Sequence, residues 1–424
     1  MIVAIMIVLF FVVVACGAPV FTALAGSGII ANLLGVGVKA TFVPLSMFSA
    51  NDSWPVLAAP FFLLSGNLMG KCGPAEALFD LCDNYLGHIR GGICYAVIAA
   101  CTLFGAVTGS AIATALAIGG IALPEMLKKG YSAKLSFGLI AMSGTLGLMI
   151  PPSIYMVLFA GIANGDILEY FTAGWLPGLT MAATLCLVAH RLAPNIVGEK
   201  HSKQDRRSSL LRALPALGMP LVIMGSIYSG IFTPTESAAL SILYCIIICP
   251  LFYRGKFSKK TFYEACKSTL SASGQIYIIL GAVQIFSTVL NYMQVPQQIS
   301  TLAASLNVSS TVMLLIIIAI YFVFGMIIDA IPIMYMTVPI FLPVVQAYGI
   351  NVTHFMIITV FMMMIAQVTP PFGVILFALS GTFNQKVEVI VQGVIPFLIA
   401  TLCVVIVIIL FPQISLFLPG LTMG

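Results

Sequence analysis

Charge is what this chain has least of. Asp, Glu, Lys and Arg supply 7% of its 424 residues, against about 25% in an ordinary soluble domain. The apolar share, 61%, is more than one water-soluble core would hide. A net charge of +5 is no nucleic-acid signature, so nucleic acid is not an expected partner. The ten cysteines include no Cys-x-x-Cys pair and read as small apolar helix residues, not as a metal site or disulfide framework. There is no His-Glu-x-x-His motif, and His88, His190, His201 and His354 lie far apart. There is no Walker motif either, so nucleotide hydrolysis is not expected. An acid dyad would need a partner for Asp329, but Glu236, Glu264 and Glu388 all lie in distant segments. An intramembrane enzyme is therefore the weakest reading, and no catalytic residue or organic cofactor is expected.

What the chain does have is apolar runs. About 20 apolar residues span a bilayer as a helix, and the number of such runs predicts roughly ten crossings, half-depth hairpins counted separately. Runs such as 242–251 and 312–324 do not alternate as barrel strands would. An all-α, polytopic fold in a lipid bilayer is therefore expected. The run 2–25 has no basic segment before it and reads as a first span, not a cleaved leader.

Basic residues cluster at 88–90, 128–134, 191–212 and 254–267, which should face the cytoplasm. The loop carrying Asp166 and Glu169 has no basic residue and should lie outside. The polar stretch 192–211 reads as a cytoplasmic linker between halves 1–191 and 212–424. Segments 75–87 and 259–271 mix charges with apolar residues at helical spacing and read as interfacial helices.

The halves share two features in the same order. Gly105 interrupts one apolar run, and Gly325 interrupts its counterpart. The pairs Pro151-Pro152 and Pro370-Pro371 follow at nearly equal distances, 46 residues (151 − 105) and 45 (370 − 325). This internal symmetry predicts hairpins over about 91–127 and 310–348 and broken helices over about 132–162 and 352–382, as in transporters built from repeats. The first hairpin has basic flanks, whereas Asp329 is the only charged residue of 268–385, so the repeat is read as inverted. The half-run 91–104 makes about 21 Å of helix at 1.5 Å per residue, short of the ~30 Å hydrocarbon core. The alternative is two ordinary helical pairs.

Tandem prolines lack N–H groups and clash with carbonyls four residues back. Pro151 and Pro152 should free the carbonyls of Gly147 and Leu148, and Pro370 and Pro371 those of Ala366 and Gln367. Bare carbonyls at mid-membrane need protein, water or an ion, and sodium suits oxygen ligands; the alternative is a structural kink. Sodium is the one metal expected, as a coupling ion. Its first site is assigned to Thr108, Gly109, Ser110, Thr145, Gly147 and Leu148, and its second to Gly325, Asp329, Ala366, Gln367 and Thr369. An acid in a long uncharged membrane region is a functional residue by default; the other role open to Asp329 is helix capping. Thr233-Pro234-Thr235-Glu236 reads as a capping box. Substrate contacts are assigned to Ser65, Asn67, Ser153 and Gly373. Two broken-helix sites at a repeat interface suit a secondary transporter better than a channel.

The chain resembles the large membrane subunit of tripartite ATP-independent periplasmic (TRAP) transporters over almost its whole length. The resemblance rests on Ala59-Pro60-Phe61-Phe62-Leu63-Leu64-Ser65-Gly66-Asn67-Leu68-Met69, Thr108-Gly109-Ser110-Ala111-Ile112-Ala113-Thr114, Gly144-Thr145-Leu146-Gly147 with Ile150-Pro151-Pro152-Ser153, Gly230-Ile231-Phe232-Thr233-Pro234-Thr235-Glu236 and Thr369-Pro370-Pro371, in this order. The tip Thr108-Gly109-Ser110 departs from the Gly-Ser-Ser often found in such proteins. The resemblance implies a bacterial inner-membrane location, an elevator mechanism and a sodium gradient as driving force. It implies two partners, a small four-helix membrane subunit on a separate chain and a periplasmic substrate-binding protein. The implied substrate is an organic-acid anion such as a C4-dicarboxylate or sialic acid. A stand-alone sodium–dicarboxylate symporter of similar architecture is the alternative.

Overall fold

Apolar side chains and backbone groups that must satisfy one another inside a bilayer leave helices as the economical solution. The computed structural model describes residues 1–198, 200–253, 256–306 and 308–422. Arg254 of the fourth basic cluster therefore lies outside the described residues, as does Glu199 of the linker.

Among the described residues the chain forms twenty α-helices. The first half holds α1 (Ile2–Ala15), α2 (Val20–Ala31), α3 (Phe42–Asn51), α4 (Trp54–Cys72), α5 (Pro74–Leu86), α6 (Gly92–Thr108), α7 (Ala111–Lys128), α8 (Ala133–Gly144), α9 (Ile154–Ala163) and α10 (Ile167–Leu192). The second holds α11 (Lys203–Tyr228), α12 (Pro234–Phe252), α13 (Lys259–Tyr292), α14 (Val295–Ser305), α15 (Ser310–Gly325), α16 (Ala330–Ala347), α17 (Val352–Ala366), α18 (Val374–Phe383), α19 (Val387–Leu410) and α20 (Gln413–Thr422).

Seven helices are long and apolar enough to cross a membrane: α7, α10, α11, α12, α13, α16 and α19. The bent pair α4–α5, which turns by 66° at Gly73, makes up to eight. Several shorter apolar helices, α6, α8, α9, α15, α17 and α18 among them, stand beside these among the described residues.

Local chemistry explains where helices stop. Gly73 (φ 103°) and Gly109 (φ 60°) hold left-handed conformations that glycine adopts without a Cβ clash. Asn164 and Asn384, 220 residues apart (384 − 164), end α9 and α18 in the same left-handed geometry (φ 51° each). Asn is the non-glycine residue that tolerates it best. Both Pro-Pro peptide bonds are cis. The Thr233–Glu236 box is formed, with Thr233 Oγ1 accepting from Glu236 N at 3.3 Å and Glu236 accepting from Thr233 N at 2.8 Å.

Two sequence expectations need correcting. Segment 259–271 is no separate interfacial helix. It is the start of α13, which runs unbroken for 34 residues, about 51 Å at 1.5 Å per residue. The segment contains no Pro, and Gly274 alone does not stop a helix held by neighbours on several sides. The linker is also shorter than 192–211, because the Ser202–Asp205 capping box starts α11 at Lys203. Ile196 and Val197, between α10 and α11, lie across the α5–α6 corner, where Gly91 N donates to Ile196 O at 3.0 Å and Arg90 pairs with Val197.

α13 packs along α2, α3, α4 and α16, while α19 lies against α8, α10, α17 and α18. The hairpin pair α6–α7 packs on α8, and α15–α16 packs on α17. Contacts also cross between halves, from α16 to α9 and from α7 to α18.

Candidate functional site

At the first hairpin tip, Gly109 N donates to Gly105 O at 2.7 Å and closes α6. Ser110 caps α7, its Oγ accepting from Ala113 N at 3.4 Å. The Thr108 hydroxyl lies 3.0 Å from Thr114 Oγ1, and Thr114 donates to Ser110 O at 2.7 Å. Thr114 closes the family-like stretch 108–114 but is not among the residues assigned to sodium from the sequence. Gly147 comes up against this cluster, since a Cβ there would lie 3.1 Å from both Ser110 O and Thr114 Oγ1. Thr145 is buried one turn earlier and donates to Met142 O at 2.7 Å.

The second tip is built differently. Gly325 abuts Ala366, and a Cβ on the glycine would lie 2.8 Å from that of Ala366. Asp329 occupies the N-cap position of α16, but its side chain makes no capping hydrogen bond. Its carboxylate is half-buried and lines a cavity. Thr369 donates to Ile365 O at 2.7 Å.

The expected bare carbonyls are only partly bare. Ser153 Oγ donates to Leu148 O. Ile375 N reaches back to Gln367 O at 3.1 Å, and Thr369 N to Ala366 O at 3.4 Å. Prolines remove specific N–H donors, but which donor folds back to replace them depends on the path after the break. Carbonyls carry two lone pairs, so Leu148 and Gln367 keep one each.

The two tips and both breaks meet at one cavity of about 200 Å³. Its walls carry Gly109, Ser110 and Leu148 from the first half and Asp329 and Gln367 from the second. Leu63 of α4 and Ala272, Gln275, Ile276 and Ile279 of α13 close one side. Tyr155 at the start of α9 accepts from Gln367 Nε2 at 2.8 Å, joining the halves. Among the described residues no Lys, Arg or His lines the cavity, and Asp329 is its one charged side chain. The N-terminal residues of three helices line it: Ala111 of α7, Ile154 of α9 and Ile331 of α16. Such termini bear free N–H groups and a partial positive charge.

Thr108, Thr145, Gly147, Gly325, Ala366 and Thr369 are buried behind this surface. Ser65, Asn67, Ser153 and Gly373, assigned from sequence to the substrate, do not line the cavity. Ser65 donates to Phe62 O at 3.0 Å, and Asn67 ties α4 to α13 through Thr269 Oγ1 at 2.9 Å. Sequence reasoning passed over Tyr155 and Gln275. The signal for Gln275 was a polar side chain within 268–385, where attention went to charge alone.

A model of the family described as "Tripartite ATP-independent periplasmic transporter, DctM component" matches residues 7–414. The chain is 33% identical over 401 residues to the C4-dicarboxylate TRAP transporter large permease protein DctM of Pseudomonas aeruginosa, covering 93% of each. It is 33% identical over 373 residues to the sialic acid TRAP transporter permease protein SiaT of Haemophilus influenzae, covering 87% of this chain and 60% of that relative. The chain thus spans less than two thirds of SiaT's length. Identity to the Ruegeria pomeroyi ectoine/5-hydroxyectoine large permease protein UehC is 35% over 369 residues, covering 86% of each. In fold, the chain resembles the Alcanivorax borkumensis YdaH transporter, with TM-score 0.58, 14% identity and 88% and 89% of the two chains covered. Neisseria gonorrhoeae MtrF gives TM-score 0.55 at 13% identity over 87% and 82%.

Proposed function

The chain belongs to the tripartite ATP-independent periplasmic transporter family as its DctM component, the large permease subunit, and from that premise we propose that it imports an organic-acid anion coupled to sodium. It is a multi-pass protein of the bacterial inner membrane and a transporter permease, not an enzyme. Membership in a tripartite family favours a small membrane subunit and a periplasmic substrate-binding protein as partners over a stand-alone symporter.

The observation that carries the reading is the cavity where both hairpin tips and both broken helices converge. Its volume of about 200 Å³ is room for several waters or one small organic acid. The α7 and α9 N-termini suit a carboxylate, whereas that of α16 carries Asp329. Asp329 supplies the negative charge a cation needs, and the oxygens of Thr108, Ser110 and Thr114 beside Gly147 form a second, neutral cluster. Two sodium ions flanking an anion would offset its charge where no basic side chain does so.

An elevator motion accounts for the contacts between the hairpins and the long helices α4 and α13. Val56, Ile276 and Leu280 meet Leu63, Ile331 and Tyr335 in an apolar seam, a surface that can slide without breaking ion pairs. The test is uptake into proteoliposomes holding this chain and its small subunit, with the receptor and its ligand outside. Uptake is expected to need an inward sodium gradient and the receptor, and to proceed without ATP. Undiminished uptake with potassium in place of sodium would overturn the coupling.

A further inference from the structure

Gln367 is 5% exposed, its side-chain oxygen has no hydrogen-bond partner, and it lines the cavity. Its other amide atom is held by Tyr155. A buried amide atom left unpaired is costly, and a leucine or methionine would fill the same space without that penalty. A carboxylate cannot donate to Oε1, and a hydrocarbon chain can do nothing for it. A hydroxyl satisfies the amide whichever way it is turned, because it donates to Oε1 or accepts from Nε2. The Tyr155 hydroxyl, whose oxygen accepts from Gln367 in this arrangement, retains its own proton for a second bond to the same group.

We propose that Gln367, oriented by Tyr155, selects a hydroxyl-bearing organic acid over the same acid without the hydroxyl. The proposal rests on the cavity being the substrate site. The carboxylate is placed toward the N-terminus of α7, and the hydroxyl against the Gln367–Tyr155 pair. A second carboxylate could pair only with a turned amide, and it would set a negative charge near Asp329 with no basic side chain among the described lining residues to offset it, whereas an unsubstituted acid such as acetate offers the amide nothing. Sites built to bond a substrate hydroxyl reject the analogue lacking it strongly.

The experiment uses the chain purified with its small subunit, in sodium. Ala272→Cys places a thiol on the cavity wall, and protection from maleimide is measured against three matched pairs: glycolate with acetate, malate with succinate, gluconate with hexanoate. In at least one pair the hydroxylated acid is expected to protect at about tenfold lower concentration or better. In Gln367→Leu the two members should converge through weakening of the hydroxylated one, and Tyr155→Phe should narrow the gap partly. Equal protection within every pair would overturn the selectivity while leaving the cavity as the substrate site, with Gln367 reduced to a tie between α9 and α17. Protection by no acid of any pair would overturn the cavity reading, and this proposal with it. The comparison in the otherwise wild-type protein decides even if Gln367→Leu fails to fold.

Discussion

Asp329 sits at a helix N-cap without capping. Asn caps about as well as Asp, so Asp329→Asn is expected to remain folded and in the membrane. What it removes is the one charge facing the cavity. Opposite unit charges 4 Å apart attract by about 4 kcal/mol at an effective dielectric of 20. The sodium concentration giving half-maximal uptake should therefore rise by about tenfold or more. A sodium curve overlaying the wild type would leave no coupling role for the carboxylate. Thr369→Ala should shift the curve the same way but less. It removes a single neutral oxygen, one already donating its proton to Ile365 O.

Helices here approach one another where side chains are missing. A Cβ on Gly66 of α4 would lie 2.8 Å from Thr108 O at the first hairpin tip. Gly66→Leu is expected to wedge the tip from α4 and abolish uptake, while the protein still inserts and purifies with its small subunit. Normal uptake by this variant would show that the close contact is dispensable. α8 and α19 meet more closely still, with a Cβ on Gly138 falling 2.1 Å from the Gly393 carbonyl. That contact is backbone and has no side chain to swing away. Gly138→Leu should therefore destabilise by about 1–3 kcal/mol or more, the range for overpacking, seen as a lower melting temperature. Gly120→Ala is the control, because a Cβ there meets nothing within 4 Å. It should melt at or above the wild-type temperature.

At the scale of the molecule, corresponding helix junctions recur about 220 residues apart, Ser110 before α7 with Asp329 before α16 (329 − 110 = 219) and Asn164 with Asn384 (384 − 164 = 220). The basic flanks of the first hairpin and the uncharged flanks of the second argue that the two tips enter the membrane from opposite sides. Single cysteines at Arg90 and Asn351 are therefore expected to react with an impermeant thiol reagent from opposite faces, Arg90→Cys from the cytoplasm. Labelling of both from one face would rule out the inverted arrangement. The docked linker bears on this experiment. Arg90 pairs with Val197, so its reactivity should be read alongside Lys128→Cys, at the other end of the same helix pair.

Composition determined that the chain is a membrane protein, because 7% charge and 61% apolar content leave no soluble solution, and apolar runs that do not alternate made it helical. Helix breaks at Gly109 and at the proline pairs were legible for an equally local reason, since a missing Cβ or a missing N–H acts within one turn. Asp329 stood out as a lone charge. The rest of the candidate site was decided by the tertiary structure. Gln367 and Tyr155 lie 212 residues apart, and nothing in either segment announces the other. Ser65 and Asn67 belonged to a family-like stretch, yet packing turned their side chains to Phe62 and Thr269. The carbonyls freed by proline found new donors in Ser153 and Ile375. Local chemistry sets where a helix must stop. Only the packing of distant helices sets which groups then face one cavity.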